Sequence, residues 1–94
     1  MKPLEKDALD LLVAAGYMME RADSTTLTKE DLHKAGNFRF VRRRVDFGKC
    51  LEKLHQLGLM SSLFIPEEGQ FEYFLTEGGE WFYNGLRTQP QYRM

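Results

Sequence analysis

The chain has 94 residues, a formal net charge of −1 and 43% hydrophobic residues, which suffices for one small domain with a modest core. No apolar run approaches the roughly 18 residues of a membrane-spanning helix, so the sequence predicts no membrane partner. The first seven residues carry charges but no apolar stretch, so we expect no signal peptide. The single cysteine, Cys50, excludes an internal disulfide bond and favours a reducing, cytoplasmic setting.

The first third of the chain predicts two helices. Apolar residues recur at a 3.6-residue period over Leu4–Ala22, which is typical of an amphipathic helix. Gly16 lies inside this segment and costs roughly 1 kcal/mol of helix stability relative to alanine. Thr28, followed three residues later by Asp31, is a helix-start signal. A short second helix is therefore expected over about residues 29–35.

A third helix is expected to begin between positions 40 and 45 and to end near Gln56. Gly58 follows as a candidate C-terminal cap. Apolar residues at helical spacing should form the buried stripe of this helix. They are Phe47, Leu51 and Leu54, with Cys50 as a further candidate.

The apolar period then changes and predicts a β-hairpin followed by a helix. Residues 59–65 carry no charge, residues 70–75 are rich in aromatics, and the Pro-Glu-Glu-Gly sequence between them is a turn signal. Thr76 is a second capping residue, so the last helix is expected over about residues 77–86. The tail, residues 88–94, is predicted to be flexible.

Positive charge is concentrated in the middle of the chain. Residues 29–53 hold eight Lys or Arg and four Asp or Glu, a local net charge of +4. The remaining residues hold five basic and ten acidic side chains. The densest part of the basic region is residues 39–44, Arg-Phe-Val-Arg-Arg-Arg. A chain polarised in this way has one candidate face for an anionic partner.

Two short motifs carry a family resemblance. The first is Leu51-x-x-Leu54-x-x-Leu57-Gly58-Leu59, and the second is Tyr73-x-Leu75-Thr76-x-x-Gly79. Together they resemble the end of the recognition helix and the exit from the wing in winged helix-turn-helix proteins, such as small bacterial transcriptional regulators of the MarR and PadR type. The resemblance implies an α+β, mainly α-helical fold. Residues 1–94 would form a single winged-helix domain of three helices, a β-hairpin wing and a C-terminal helix.

The resemblance also implies a function, that of a cytoplasmic transcriptional regulator acting on double-stranded DNA as a homodimer. A recognition helix enters the major groove with its N-terminal end toward the bases, so Arg42–Gln56 would lie in the groove. Arginine pairs with a guanine edge or neutralises phosphate. For Arg44, an ion pair with Asp46 or Glu52 is the alternative. The candidate DNA contacts are Arg39, Arg42, Arg43, Arg44, Lys49, Lys53, Lys34 and Lys29.

Three departures from the family pattern favour a second hypothesis. The connection Gly36–Arg44 is long, the wing tip carries Glu67 and Glu68 in place of basic residues, and the chain lacks a long terminal dimerisation helix. Winged helices also serve as protein-interaction modules. The alternative is therefore an adaptor, a complex subunit or a phage-type factor that binds protein and no DNA.

Two interpretations are open for the aromatic residues of the last helix and for those of the long connection. Trp81 is expected either to contact a partner or a second copy, together with Tyr83, or to cover the second face of the hairpin. Phe38 and Phe40 either anchor the long connection to the core or are offered to a partner.

No sequence pattern indicates an enzyme, a cofactor or a metal site. His33 and His55 lack partners at the spacing of metal ligands. The pair Gly78–Gly79 lacks the flanking residues of a phosphate-binding loop, and no Ser/His/Asp arrangement is recognisable. Cys50 is expected to be a small core residue.

Overall fold

The computed structural model describes residues 2–93 and has a mainly helical α+β fold, which confirms the predicted class. The helices of these residues are α1 (Pro3–Ala22), α2 (Lys29–His33), α3 (Phe47–Gln56) and α4 (Glu77–Leu86). One antiparallel sheet has the strand order β1-β3-β2, formed by β1 (Leu27–Thr28), β2 (Met60–Ile65) and β3 (Gln70–Leu75). Two 3₁₀ turns occupy Lys34–Asn37 and Pro90–Tyr92.

Side-chain caps fix the starts of α2 and α4 where the sequence predicts them. The Thr28 hydroxyl accepts a hydrogen bond from the Asp31 N–H, and the Asp31 carboxylate accepts one from the Thr28 N–H, each at 3.1 Å. The Thr76 hydroxyl accepts from the Gly79 N–H at 3.0 Å and donates to the Gly58 carbonyl. The last contact also ties the start of α4 to the end of α3.

The third helix begins later than predicted. Asp46 is the N-cap of α3, because its carboxylate accepts a hydrogen bond from the Lys49 N–H at 3.0 Å. Arg44 has a φ of 64°, which lies in the left-handed region and is incompatible with a right-handed helix. Residues 42–46 are therefore not helical, and the predicted helix Arg42–Gln56 is wrong at its N-terminal end.

The second helix is shorter than predicted, and the tail forms contacts that the sequence does not predict. The second helix, expected to reach Ala35, ends at His33 and tightens into the first 3₁₀ turn. The tail 88–94, expected to be flexible, contains the second 3₁₀ turn, and Tyr92 within it is only 4% exposed. The tail is held because the Tyr92 side chain is buried against α1. The last residue, Met94, lies outside the described residues.

The predicted hairpin is present, and a short third strand joins it. β2 and β3 pair along their whole lengths, across a turn at residues 66–69. β1, which the sequence pattern does not predict, pairs with β3 through Leu27↔Tyr73 and Thr28↔Glu72. The sheet therefore has β3 in its centre and β2 at one edge.

The core lies between α1, the other helices and one face of the sheet. The middle of α1 is buried on nearly every side, and it packs against α3, α4 and β3. Cys50 of α3 is completely buried, as the sequence predicts. The largest apolar side chains that are fully enclosed are Leu11, Leu12, Leu32 and Leu54.

Gly16 lies where α1 packs against α4. A Cβ atom placed on Gly16 would lie 2.4 Å from two carbons of the Tyr83 ring. Tyr83 is itself buried and meets the Tyr17 ring edge-on, with ring centroids 5.6 Å apart. The glycine that weakens α1 locally is thus required by the packing of α4.

We expect Gly16→Ala to lower the free energy of unfolding by roughly 1–3 kcal/mol, because the added methyl group displaces the Tyr83 ring. Gly85→Ala is the matched control, since Gly85 also lies in a helix and its Cβ would meet nothing within 4 Å. The control should raise stability by up to about 1 kcal/mol through helix propensity. Urea denaturation followed by circular dichroism measures both changes, and equal effects would contradict the close approach of Tyr83.

Candidate nucleic-acid interface

Residues 39–44, hereafter the arginine segment, form an irregular connection between the first 3₁₀ turn and α3. Three buried apolar side chains, Phe38, Val41 and Val45, fix the course of the chain from inside. The four arginines lie between and beside these anchors and are all exposed. The segment therefore presents positive charge on a backbone that the core holds in place.

Phe38 and Phe40 anchor the arginine segment, which decides between the two readings of these residues. Phe38 is buried and stacks on Tyr17, with ring centroids 6.2 Å apart. Phe40 is half-buried and meets the Tyr92 ring edge-on at 5.2 Å. The Arg21 guanidinium lies over the Phe38 ring at 5.3 Å, as in a cation–π contact.

Two of the four arginines are held by other parts of the chain. The Arg42 guanidinium donates to the Asp7 carboxylate at 2.7 Å, and Asp7 is buried on α1. A buried carboxylate needs such a partner because it has lost its hydration. Arg39 donates to the Arg93 carbonyl at 3.0 Å. The Arg42 side chain is still 64% exposed, so its outer edge is accessible.

Arg43 and Arg44 have no such contacts. Both are exposed, and neither side chain forms a hydrogen bond or an ion pair within residues 2–93. The ion pair of Arg44 with Asp46 or Glu52, which the sequence leaves open, is not among the ion pairs of these residues. The two arginines are therefore available to a partner.

The lysines of α3 differ from each other. Lys49 lies in the first turn, is exposed and pairs with no carboxylate in the described part of the chain. Lys53 is 27% exposed, and its Nζ lies 4.0 Å from a Glu5 carboxylate oxygen. Cys50 and Leu54 form the buried side of the helix. Lys49 thus belongs to the solvent-facing side, whereas Lys53 leans toward α1.

The lysines at the two ends of α2 are also exposed to solvent. Lys29 and Lys34 are both exposed, and the Lys34 Nζ lies 4.0 Å from an Asp31 carboxylate oxygen. At such distances and exposures an ion pair contributes little. His33 meets the Phe47 ring edge-on at 5.2 Å, which joins the end of α2 to the start of α3.

Three cations without ion-pair partners in the described residues therefore gather at one end of α3. Arg43 and Arg44 precede the N-cap Asp46, and Lys49 follows it within one helical turn. The N-terminal end of a helix also carries partial positive charge. This end of α3 is the part of the molecule best suited to an anionic partner.

The tip of the hairpin has the opposite character. Glu67 and Glu68 are exposed on the turn. Phe64 and Phe71 face each other across the strands with ring centroids 5.1 Å apart, and they are 48% and 49% exposed. The carboxylates repel phosphate, and together with the exposed apolar pair they suit a partner that offers apolar or cationic side chains.

The two residues expected at a partner or dimer contact lie on different sides of α4. Trp81 is 74% exposed and touches Phe82 edge-on, so it does not cover the hairpin. Tyr83 is buried against α1 and only 4% exposed, so it presents almost no surface to a partner. The reason is helical spacing, because Tyr83 shares the inward side of α4 with Gly79.

Three residues that the sequence analysis does not single out belong to this site. Asp7 and Asp10 of α1 are buried, and they accept hydrogen bonds from Arg42 of the arginine segment and from Tyr92 beside it. Their signal in the sequence is a carboxylate beside the apolar positions 8 and 11, since acidic residues are rarely buried without a partner. Tyr92, the partner of Asp10, has no such signal.

Other kinds of site are not apparent in the described residues. No group of three or more His, Cys, Asp or Glu among residues 2–93 is arranged to hold a metal ion. Burial raises the pKa of the Cys50 thiol to about 11, so the sulfur is protonated at neutral pH. No helix in that range is both long and apolar enough to cross a bilayer.

Comparisons of the chain with models of known protein families, with curated proteins and with solved structures found no match.

Arg42→Ala should lower the free energy of unfolding by roughly 1–3 kcal/mol, because it leaves the buried Asp7 carboxylate without a partner. Arg43→Ala is the matched control, since it removes the same side chain one position away without breaking a contact. Its effect should stay within about 0.5 kcal/mol. Urea denaturation at neutral pH measures both. Indistinguishable values would mean that the Arg42–Asp7 pair behaves as an ordinary surface ion pair.

Proposed function

We propose that the chain is a winged helix-turn-helix domain, with α3 as the recognition helix and the β2–β3 hairpin as the wing. The order of helices and strands supports this assignment, because α1, β1, α2 and α3 precede the hairpin. The positions of the two resembling motifs also support it. Leu51–Leu59 spans the end of α3, and Tyr73–Gly79 spans the junction of β3 and α4.

We further propose that this domain binds double-stranded DNA as a transcriptional regulator. The observation that carries the proposal is the group of exposed cations, Arg43, Arg44 and Lys49, at the N-terminal end of α3. In a helix-turn-helix protein this end of the recognition helix approaches the bases. Cations that the protein does not neutralise are free to neutralise phosphates, with release of counterions.

The late start of α3 changes the roles that we propose for these residues. Arg43 and Arg44 precede the helix, so contact with the phosphate backbone beside the groove is the role that suits them. Lys49 lies on the first turn and is the residue of the three that would reach base edges. The exposed edge of Arg42 and the Lys29 side chain at the start of α2 would add phosphate contacts.

The acidic hairpin tip restricts the proposed surface to one side of the molecule. Glu67 and Glu68 would repel the phosphates that a wing normally approaches. The DNA contacts would therefore come from the arginine segment, α2 and α3 alone.

A homodimer would place two copies of α3 on two half-sites. Trp81, exposed on α4, is the residue that we propose for the dimer contact. A cytoplasmic location is part of this proposal.

Arg43→Ala should weaken the binding of a mixed-sequence DNA duplex and lower the log–log salt slope by about 0.9, because one phosphate contact is lost. The control is Asn84→Asp, which changes the net charge equally but lies on α4. Fluorescence anisotropy with a labelled duplex, titrated at several salt concentrations, gives both quantities. The absence of binding at low salt, or equal slopes for both variants, would rule out the DNA surface.

A second candidate function is favoured by the hairpin. The exposed pair Phe64 and Phe71, beside Glu67 and Glu68, is an apolar surface with an acidic rim. Such a surface fits a protein partner that offers apolar side chains among basic ones. The domain would then be an adaptor, a complex subunit or a phage-type factor.

Under this second function, a tagged chain should retain one protein at equal stoichiometry, and Phe71→Ser should abolish the retention because it removes half of the aromatic pair. Trp81→Ser is the matched control, since it removes an exposed aromatic residue from α4 instead. Affinity capture followed by quantitative mass spectrometry measures both. Loss of the partner with both variants, or with neither, would argue against the hairpin as the binding surface.

A further inference from the structure

Tyr92 and Arg93 form two contacts with the arginine segment and one with α1. The Tyr92 ring meets the Phe40 ring edge-on at 5.2 Å. The Arg93 carbonyl accepts a hydrogen bond from Arg39 at 3.0 Å. The Tyr92 carbonyl accepts one from the Tyr17 hydroxyl at 3.0 Å. The first two contacts reach the first two residues of the segment, which form no helix or strand of their own.

The hydroxyl group of Tyr92 reaches α1, where it meets a buried charge. It donates to one carboxylate oxygen of Asp10 at 2.8 Å, and the Lys6 ammonium donates to the other at 2.9 Å. Asp10 is only 1% exposed, so water cannot replace either donor easily. Burial and the hydrogen bond to Asp10 raise the pKa of Tyr92, so the hydroxyl keeps the proton that it donates.

We infer that Tyr92 and Asp10 are positioning residues, which hold the arginine segment in the conformation that presents Arg43 and Arg44. The effect on DNA affinity rests on the proposed function, whereas the anchoring of the segment is independent of it. Arg42, held by Asp7, fixes the middle of the segment. Tyr92 fixes its start through Phe40. Both attachments end on carboxylates of α1, one helical turn apart.

The consequence for binding follows from the entropy of the segment. A loop that is already ordered loses less conformational freedom when its arginines meet phosphates. Release of the tail would remove no cation from the chain but would let the start of the segment move. Affinity would then fall without the loss of a phosphate contact, which distinguishes this role from that of Arg43.

The anchoring is tested by amide hydrogen exchange in Tyr92→Phe, which keeps the ring and removes only the hydroxyl. The N–H groups of Phe38 and Val41 bond to the Ala35 and Phe38 carbonyls and report on the segment. We expect their exchange to become roughly tenfold faster, the order expected when one hydrogen bond to a charged group is lost. The amide of Leu59, which bonds to Leu54, should not change.

Two further variants separate the hydrogen bond from simple packing. Asp10→Asn keeps an oxygen that accepts from Tyr92 and should preserve slow exchange, whereas Asp10→Ala should not. Tyr73→Phe is the control for loss of a tyrosine hydroxyl, since Tyr73 lies on β3. Unchanged exchange at Phe38 and Val41 in Tyr92→Phe would overturn the inference, whatever the DNA measurements show.

The binding consequence is tested on the same variant. Tyr92→Phe should bind the DNA duplex several-fold more weakly with the salt slope of the unmodified chain, because no phosphate contact is lost. If Arg43→Ala weakens binding and Tyr92→Phe does not, the positioning role is wrong while the proposed function stands. If the unmodified chain binds no DNA, the proposed function fails, and hydrogen exchange alone decides whether Tyr92 holds the segment.

Discussion

The two buried carboxylates of α1 are the constraint on which the rest of this structure depends. Asp7 and Asp10 sit one turn apart on the helix that the core surrounds, and each would be costly to bury without a donor. Each accepts from a distant part of the chain, Asp7 from Arg42 in the long connection before α3 and Asp10 from Tyr92 in the last turn, while Lys6 on the same helix also donates to Asp10. Satisfying these charges therefore sets the path of both segments. The apolar anchors Phe38 and Val41 then fill the space beneath that path.

In the described part of the chain, this constraint divides the arginines into those that bond within the protein and those that stay free on its surface. Arg42 is committed to Asp7 through one edge of its guanidinium, and neighbouring Arg43 and Arg44 are left without carboxylate partners in residues 2–93. Arginines that look equivalent in the sequence therefore differ in the structure, because some stabilise the fold and others are available to a partner. The same division explains why charge alone is a poor guide to function here. Arg43 and Arg44 offer the whole guanidinium to an anion, Arg42 offers only its outer edge, and the acidic hairpin offers no cation.

The sequence predicts those features of the fold that depend on near neighbours. Thr28 and Thr76 cap helices through residues three positions away, and the turn at 66–69 lies between two strands that pair with each other. The start of α3 was predicted too early because helical spacing continues through the arginine segment, and only the fold gives Arg44 its left-handed backbone. β1 is too short to show a period. The contacts of the tail cannot be predicted from near neighbours, because the partner of Tyr92 lies at the other end of the chain.

The burial of Cys50 allows the opening of the core to be measured through the reactivity of its thiol. The chain has one thiol, and it is completely buried between α1 and α3 and protonated at neutral pH. A thiol reagent can modify it only when the helices separate, so the rate of modification measures how often the core opens. No cysteine has to be introduced by mutation, and no second cysteine of the chain contributes to the signal. The opening frequency of the core beneath the arginine segment is thus accessible in the unaltered protein.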